Sequence, residues 1–261
     1  MRKVALITGA SAGIGAALAD VFSRERHDLI LTARRGDKLD ELAARLRERD
    51  GVETHVISAD LAAGGGARSL FDEVGTRGLE VEFLVNNAGF GTFGPFAETG
   101  VEQSMNLLRL NVGAVTELTA LFVPAMVARG SGRVLNVSSL AAFQPGPLMA
   151  TYYASKAYVL HFSEALAEEL EGSGVTVTTL CPGPVRTEFQ DVADMHESGL
   201  VAGKRLISVE AVADAGYRGM MQGKTIVIPG TAGKLMPLGA RVAPRRLVAK
   251  FVRRMMEQRG K

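Results

Sequence analysis

The sequence has little cysteine and little histidine. Cys181 is the only cysteine, and four histidines lie far apart at positions 27, 55, 161 and 196. A lone cysteine excludes a disulfide within the chain and a paired-thiol redox motif, which favours a reducing, cytoplasmic setting. Cys181 ends an apolar run, so a buried structural thiol is favoured over a nucleophile. The scattered histidines give no local zinc motif, and we expect no catalytic metal.

Long apolar runs are also missing. The sequence contains no run of eighteen apolar residues, which is about the minimum for a membrane-spanning helix. Its charged start resembles the front of a signal peptide, but glycines at 9, 13 and 15 and Asp20 interrupt any apolar core. We therefore expect a soluble protein.

Charge is unevenly distributed along the chain. The net charge is only +2, so nothing chain-wide suggests nucleic acid. Residues 231–261, however, hold nine Lys or Arg and one acid, which leaves 21 basic and 27 acidic groups in the first 230 residues. The end of the chain is thus a separate, strongly basic segment.

Short β-branched and aliphatic runs alternate with segments of helical periodicity. The runs are Val4 to Thr8, Leu29 to Ala33, Thr54 to Ser58, Phe83 to Asn86, Arg133 to Val137, Val175 to Leu180 and Thr225 to Ile228. The helical segments include Ile14 to Arg26, Asp37 to Arg49, Arg68 to Thr76, Val101 to Arg129, Ala150 to Glu171 and Val209 to Gln222. This order predicts an α/β, single-domain Rossmann fold over residues 1–230, with a doubly wound seven-stranded parallel sheet and helices on both faces.

A glycine-rich loop follows the first predicted strand and opens the first predicted helix. Glycines let the backbone turn tightly and approach a ligand, and the start of a helix offers N–H groups to a pyrophosphate. The loop predicts dinucleotide binding. Its candidate binding residues are Gly9, Ser11, Ala12, Gly13, Ile14 and Gly15.

The second predicted strand ends without the acid that would accept hydrogen bonds from the ribose hydroxyls of NAD. Arg34 and Arg35 follow it at once. Guanidinium groups at this place bind a 2′-phosphate through charge-assisted bonds, so NADP(H) is favoured over NAD. The alternative is that both arginines only solubilise a loop.

Tyr152 and Lys156 stand four residues apart in a predicted helix, with Ser139 thirteen residues upstream. That spacing places the ammonium beside the phenol on one helix face, where it would lower the phenol pKa. Reduction of a ketone needs a proton donor and a group that polarises the carbonyl. We assign these roles to Tyr152 and Ser139, while Lys156 lowers the pKa of the phenol.

Together these motifs resemble the short-chain dehydrogenase/reductase family in its single-domain branch of about 250 residues. The resemblance covers about residues 3 to 230. It is carried by Thr8 to Gly15, Asp60, Asn86 to Gly89, Asn111, Asn136 to Ser139, Tyr152 with Lys156, and Pro182 to Thr187. The family's serine-to-tyrosine interval selects Ser139 over Ser138, and strand alternation turns Ser138 to the other face.

The resemblance implies further roles. Asn111 completes a catalytic tetrad with Ser139, Tyr152 and Lys156 by positioning a water beside the lysine. Cofactor contacts are implied for Asp60, Leu61, Asn87, Ala88, Gly89, Tyr152, Lys156, Pro182, Gly183, Val185 and Thr187. Two alternatives stay open, because Asp60 could cap a turn and the asparagines could support the central strand.

The substrate side is less specific. Residues 188–207 mix apolar and polar residues without a clear period, as expected of a lid, and Phe90, Phe93, Phe96 and Phe143 are expected near the cleft. In the basic extension, residues 231–261, the segment Pro244 to Gln258 predicts an amphipathic helix. It could contact a membrane surface peripherally, pack on a partner subunit, or fold over the substrate cleft.

The sequence thus predicts an NADP(H)-dependent oxidoreductase of the carbonyl reductase type, with Tyr152 as acid and base, acting on a small carbonyl or secondary alcohol. The alternative is an NADP(H)-binding regulatory or sensor protein with vestigial chemistry. The resemblance implies a homodimer or homotetramer, and nucleic acid is not an expected partner. Neither the substrate nor the direction of the reaction is specified.

Overall fold

The computed structural model describes residues 2–185, 206–230 and 243–257. The strands are β1 Val4–Thr8, β2 Asp28–Ala33, β3 Thr54–Ser58, β4 Val81–Asn86, β5 Gly132–Val137, β6 Val175–Leu180 and β7 Ile226–Val227. The α-helices of these ranges are α1 Gly13–Arg24, α2 Gly36–Asp50, α3 Gly66–Thr76, α4 Val101–Leu108, α5 Val115–Ala128, α6 Ala150–Glu169, α7 Val209–Met221 and α8 Arg245–Glu257.

All seven strands form one sheet in the order β3-β2-β1-β4-β5-β6-β7. Every neighbouring pair is parallel. This confirms the predicted doubly wound Rossmann fold. The winding reverses between β1 and β4, and the carboxyl ends of such strands form the crevice where ligands bind in open α/β sheets.

Side chains alternate between the two faces of the sheet, and each face has its own core. Ile7, Leu31 and Val85 pack with α1, α2 and α7 on one face. Leu6 and Leu84, one residue away in register, pack with α3 and α5 on the other. The strands are therefore buried on both faces, which explains why they read as continuous apolar runs.

The predicted strands and helices are all found, with one irregularity. The long helix predicted from Val101 to Arg129 is divided into α4 and α5 by a π-helical turn, Arg109–Ala114. By length and composition the stretch Val101–Ala128 would also suit a membrane span. Its buried side chains, such as Leu118 and Phe122, lie in the core under the sheet, as those of a core helix do.

Candidate active site

The glycine loop joins the carboxyl end of β1 to the start of α1. Gly9 has a φ of +67°, which L-residues rarely adopt. A Cβ on Gly15 would lie 2.2 Å from the carbonyl oxygen of Gly9, so the loop can pass the helix only without a side chain there. No side chain caps α1, and its first turn holds no acid. Its first N–H groups and positive dipole end therefore suit a phosphate.

Asn87 fastens this loop to the end of β4. Its Nδ2 donates to the carbonyl oxygens of Thr8 and Gly9 at 2.9 and 3.3 Å. The Thr8 hydroxyl accepts from the backbone N–H groups of Asn87 and Ala88 at 2.9 and 3.0 Å. The structure thus shows the supporting role that the sequence left open for Asn87. A cofactor contact from Asn87, Ala88 or Gly89 stays a prediction.

The two arginines lie at the carboxyl end of β2, beside the glycine loop. The guanidinium of Arg35 donates to the Ser11 hydroxyl, with Nη2 at 3.1 Å. Arg34 is exposed. The guanidinium of Arg35 is thus directed toward the glycine loop.

At the end of β3, Asp60 accepts a hydrogen bond from the backbone N–H of Ala62 at 3.0 Å. Its carboxylate therefore stabilises the next turn, as the alternative interpretation held. The Leu61 side chain is buried in the core, so only its main chain could face a ligand. Cofactor contacts from these two residues remain predictions.

Ser138 and Ser139 point to different partners. The buried Ser138 hydroxyl donates to the backbone oxygen of Lys156 at 2.8 Å. Ser139 begins a short 3-10 helix, where its Oγ accepts from the N–H of Ala141 at 3.1 Å, and its hydroxyl lies near the Tyr152 phenol, where it opposes the rise of the phenol pKa. Strand alternation predicts that the two serine side chains point to opposite faces. Ser139 and Tyr152 can therefore both form hydrogen bonds to one substrate oxygen.

Lys156 is 6% exposed. Its Nζ donates to the carbonyl oxygen of Val137 at 2.9 Å and lies 5.9 Å from the centroid of the Tyr152 ring. Burial lowers the pKa of Lys156 to about 8. An ammonium that titrates near neutral pH can hand a proton onward.

The expected depression of the Tyr152 pKa is wrong for this structure. Burial raises the pKa of Tyr152 to about 12, and only the hydrogen bond with Ser139 opposes that change. Lys156 does not compensate, because its ammonium is directed at Val137 rather than at the phenol oxygen. Desolvation is therefore the largest cause of the change in the Tyr152 pKa.

Asn111 lies in the π-helical turn and is fully buried. Its Oδ1 accepts from the N–H of Phe90 at 3.1 Å, and its Nδ2 donates to the Phe90 carbonyl at 2.9 Å and to the Ser155 hydroxyl at 3.1 Å. A Cβ on Gly89 would stand 3.0 Å from Asn111 Oδ1 and 3.5 Å from Lys156 Nζ. The amide thus lies close to the lysine, and π-turns often occur at functional sites.

Sequence reasoning did not single out Phe90 and Ser155 as the partners of Asn111. Ser155 also donates to the Tyr152 carbonyl at 2.7 Å, so it ties α6 to the π-turn. The available signal was an asparagine in mid-helix, which is unfavourable unless its amide has partners.

The loop after β6 lies against Ser139. Pro182 accepts a hydrogen bond from the N–H of Leu140 at 2.9 Å, Gly183 is partly buried, and Val185 forms a parallel bridge with Ile207. Thr187 and most of the predicted lid lie outside the described residues. Cys181 is fully buried, and burial raises the pKa of its thiol to about 12, which fits a structural role.

Helix α8 packs beside Tyr152 and Tyr153. Val252 and Met256 are 0% and 2% exposed, and they share a cluster with Tyr153, Met149 and other residues. The partly buried members of this cluster are Phe93, Leu148, Tyr152 and Val248. The sequence left three placements open for this helix, on a membrane surface, on a partner subunit or over the substrate cleft. The inner face of α8 packs on the protein's own fold. Phe96 is 66% exposed, so the expectation that it lines the cleft finds no support.

A family model described as short chain dehydrogenase matches residues 3–198. The chain belongs to the short-chain dehydrogenase/reductase family. Very-long-chain 3-oxoacyl-CoA reductases are among its curated relatives. The protein from Anas platyrhynchos is 35% identical over 195 residues, which cover 72% of this chain and 62% of the relative. The chain thus spans about three fifths of the length of such relatives.

Solved structures extend the similarity of this short-chain dehydrogenase. A short-chain dehydrogenase from Sphingobium yanoikuyae in complex with NADPH has a TM-score of 0.83 at 36% identity, with 92% of this chain and 93% of that chain covered. An alcohol dehydrogenase from Comamonas testosteroni, specific for bulky-bulky ketones, has a TM-score of 0.78 at 32% identity, with 88% and 86% covered.

Proposed function

We propose that this short-chain dehydrogenase is an NADP(H)-dependent oxidoreductase that transfers a hydride between the nicotinamide and a carbonyl or secondary alcohol, with Tyr152 as the acid and base. The observation that carries the proposal is the buried Lys156, whose Nζ lies 5.9 Å from the centroid of the Tyr152 ring, with Ser139 near the phenol. Ser139 follows β5, and Tyr152 and Lys156 lie in the first two turns of α6, at the same sheet edge as the glycine loop.

The residues present fit a dinucleotide phosphate. The uncapped start of α1 suits the pyrophosphate. Arg34 and Arg35 supply cations for a 2′-phosphate beyond the carboxyl end of β2, which has no acid at that end. The NADPH complex of the relative from Sphingobium yanoikuyae supports the same choice. When bound, NADPH supplies the hydride.

Tyr152 is suited to act as an acid at neutral pH. A phenol with a pKa of about 12 keeps its proton at pH 7, which is the state needed to protonate an alkoxide. Ser139 stabilises the same oxygen by a hydrogen bond. Lys156, with a pKa of about 8, can return a proton. These states favour reduction as the direction of the reaction.

We further propose an apolar ketone as the substrate. The side chains around Tyr152 that would meet such a molecule include Phe93, Leu148 and Val248. The 3-oxoacyl-CoA and bulky-ketone specificities of the relatives support this class. A carbonyl beside an aliphatic chain therefore suits the cleft better than a sugar does.

The test is Tyr152→Phe, with Tyr153→Phe as the matched control. The first variant should lose about 10²- to 10⁴-fold in kcat, which is the usual contribution of a general acid, while its Kd for NADPH stays unchanged. The control should keep its turnover within a few fold. Retained turnover in Tyr152→Phe would refute the proton-donor role. Tight NADPH binding without oxidation across a panel of aliphatic ketones would instead favour the sensor.

We also propose a homodimer or homotetramer in the cytoplasm. Exposed apolar residues on α4 and α6 support an assembly, since Val101 is 80%, Met105 42% and Tyr158 40% exposed. Light scattering of the purified chain would measure its mass directly, and a monomer at micromolar concentration would contradict the proposal.

A further inference from the structure

The outward face of α8 is both apolar and basic. Leu247 and Phe251 are 60% and 68% exposed, and they stand one turn apart on the same side of the helix. Lys250 and Arg254 flank them, and both are exposed. We call these four residues the outer face.

No neighbour among the described residues neutralises the cations of this face. The acid of α8, Glu257, is paired with Arg253 at 2.7 Å. Among the described residues, neither Lys250 nor Arg254 takes part in an ion pair or a side-chain hydrogen bond. The charge of the outer face is therefore directed outward, although the first 230 residues are net negative.

The geometry points to an anionic lipid bilayer as the partner of the outer face, and we propose that α8 binds such a surface with Leu247 and Phe251 inserted. Apolar side chains bordered by Lys and Arg are the pattern of a helix that lies in a membrane interface. The opposite side of α8 is already packed through Val252 and Met256, so the helix meets the bilayer preformed.

Other partners fit the outer face less well. In a twofold dimer of this chain the same patch would face itself, which brings two basic surfaces together. A nucleic acid would satisfy the cations but not two exposed apolar side chains, of which only Phe251 offers a ring for stacking. A bilayer satisfies both at once.

The chain contains no tryptophan. The fluorescence of a single introduced tryptophan therefore reports only the surroundings of that residue. When the Phe251→Trp variant binds vesicles with about 30 mol % phosphatidylserine, the tryptophan emission should shift to the blue. Brominated lipids in the same vesicles should quench it. Met221→Trp, at an exposed position at the end of α7, is the matched reporter and should stay unquenched. Equal quenching at both positions, or none at 251, would overturn the proposal.

Vesicle sedimentation of the full chain gives the energetic test. Lys250→Gln with Arg254→Gln should weaken binding about 25-fold, at about fivefold for each cation. Leu247→Ser with Phe251→Ser should weaken it about tenfold or more. Arg218→Gln with Lys224→Gln, which removes two exposed cations elsewhere, should change it little.

Three outcomes would refute the inference. Binding to neutral phosphatidylcholine as strong as to the anionic mixture would remove the role of charge. Loss of a dimer in Leu247→Ser with Phe251→Ser, without any vesicle binding by the parent chain, would assign the face to a second copy. Binding of DNA without binding of vesicles would assign it to nucleic acid. Urea unfolding of each variant checks that α8 and the core remain folded.

Discussion

Lys156→Met should stabilise the fold at neutral pH, although it removes a residue that the proposed chemistry needs. Lys156 is almost fully buried, and burial lowers the pKa of its amine from 10.5 to about 8. At pH 7 the amine is nevertheless mostly protonated, so the folded protein holds a poorly solvated charge. Methionine has a similar shape and carries no charge.

The magnitude follows from the pKa shift. Each pKa unit corresponds to about 1.4 kcal/mol. The buried ammonium therefore lowers the free energy of unfolding by roughly 3 kcal/mol. The lost hydrogen bond from Nζ to the Val137 carbonyl offsets about 1 to 2 kcal/mol of that gain. We therefore expect Lys156→Met to raise the free energy of unfolding by about 1 to 2 kcal/mol at pH 7.

The sign of the effect depends on pH. Between the folded pKa near 8 and the unfolded value of 10.5, the unfolded chain binds more protons, so the stability of the parent protein rises with pH. The cost of the ammonium is fully present below pH 8 and is relieved as the pH approaches 10.5. The advantage of Lys156→Met should therefore vanish, and then reverse, over this range.

Urea unfolding followed by circular dichroism, at about pH 7 and about pH 10, measures the difference between the two proteins. Other titrating groups are common to both and cancel. Lys224→Met, at an exposed position, is the control and should show no pH-dependent difference. Equal destabilisation of Lys156→Met at both pH values would show that the lysine is not held at a cost to the fold.

Two further predictions concern the cofactor arginines and the packing of α8. Replacement of Arg34 and Arg35 by serine should raise the KM for NADPH about 10- to 100-fold, because one or two charge-assisted hydrogen bonds to the 2′-phosphate are lost. The KM for NADH should stay unchanged. Equal changes for both cofactors in steady-state assays would contradict the assignment. Met256→Ala should cost up to about 2 to 5 kcal/mol of local stability, because that side chain is 2% exposed. Hydrogen exchange should accelerate in α8 and at Tyr153, whereas unchanged exchange would show that the cluster does not hold the helix.

Much of the fold could be predicted because parallel strands buried on both faces leave continuous apolar runs. Thus β1, β3 and β6 begin and end where the sequence placed them. The π-turn at Arg109–Ala114 could not be predicted, since α5 is apolar on most sides and has no distinct stripe whose displacement by one residue would show in the sequence. The raised pKa of Tyr152 could not be predicted either, because it depends on burial by residues distant in sequence.

The sequence pattern of α8 also could not predict which of its apolar residues are buried. Val248, Val252 and Met256 repeat every four residues, and so do Leu247 and Phe251, one position earlier. In the sequence the two stripes merge into one broad apolar side. In the structure the first stripe packs beside Tyr153, while the second faces outward at 60% and 68% exposure. Side chains so exposed add little to the stability of the fold, and polar residues in their place would serve it equally well. Their apolar character is therefore best explained by a surface outside the chain, which is the reason to look for a membrane there.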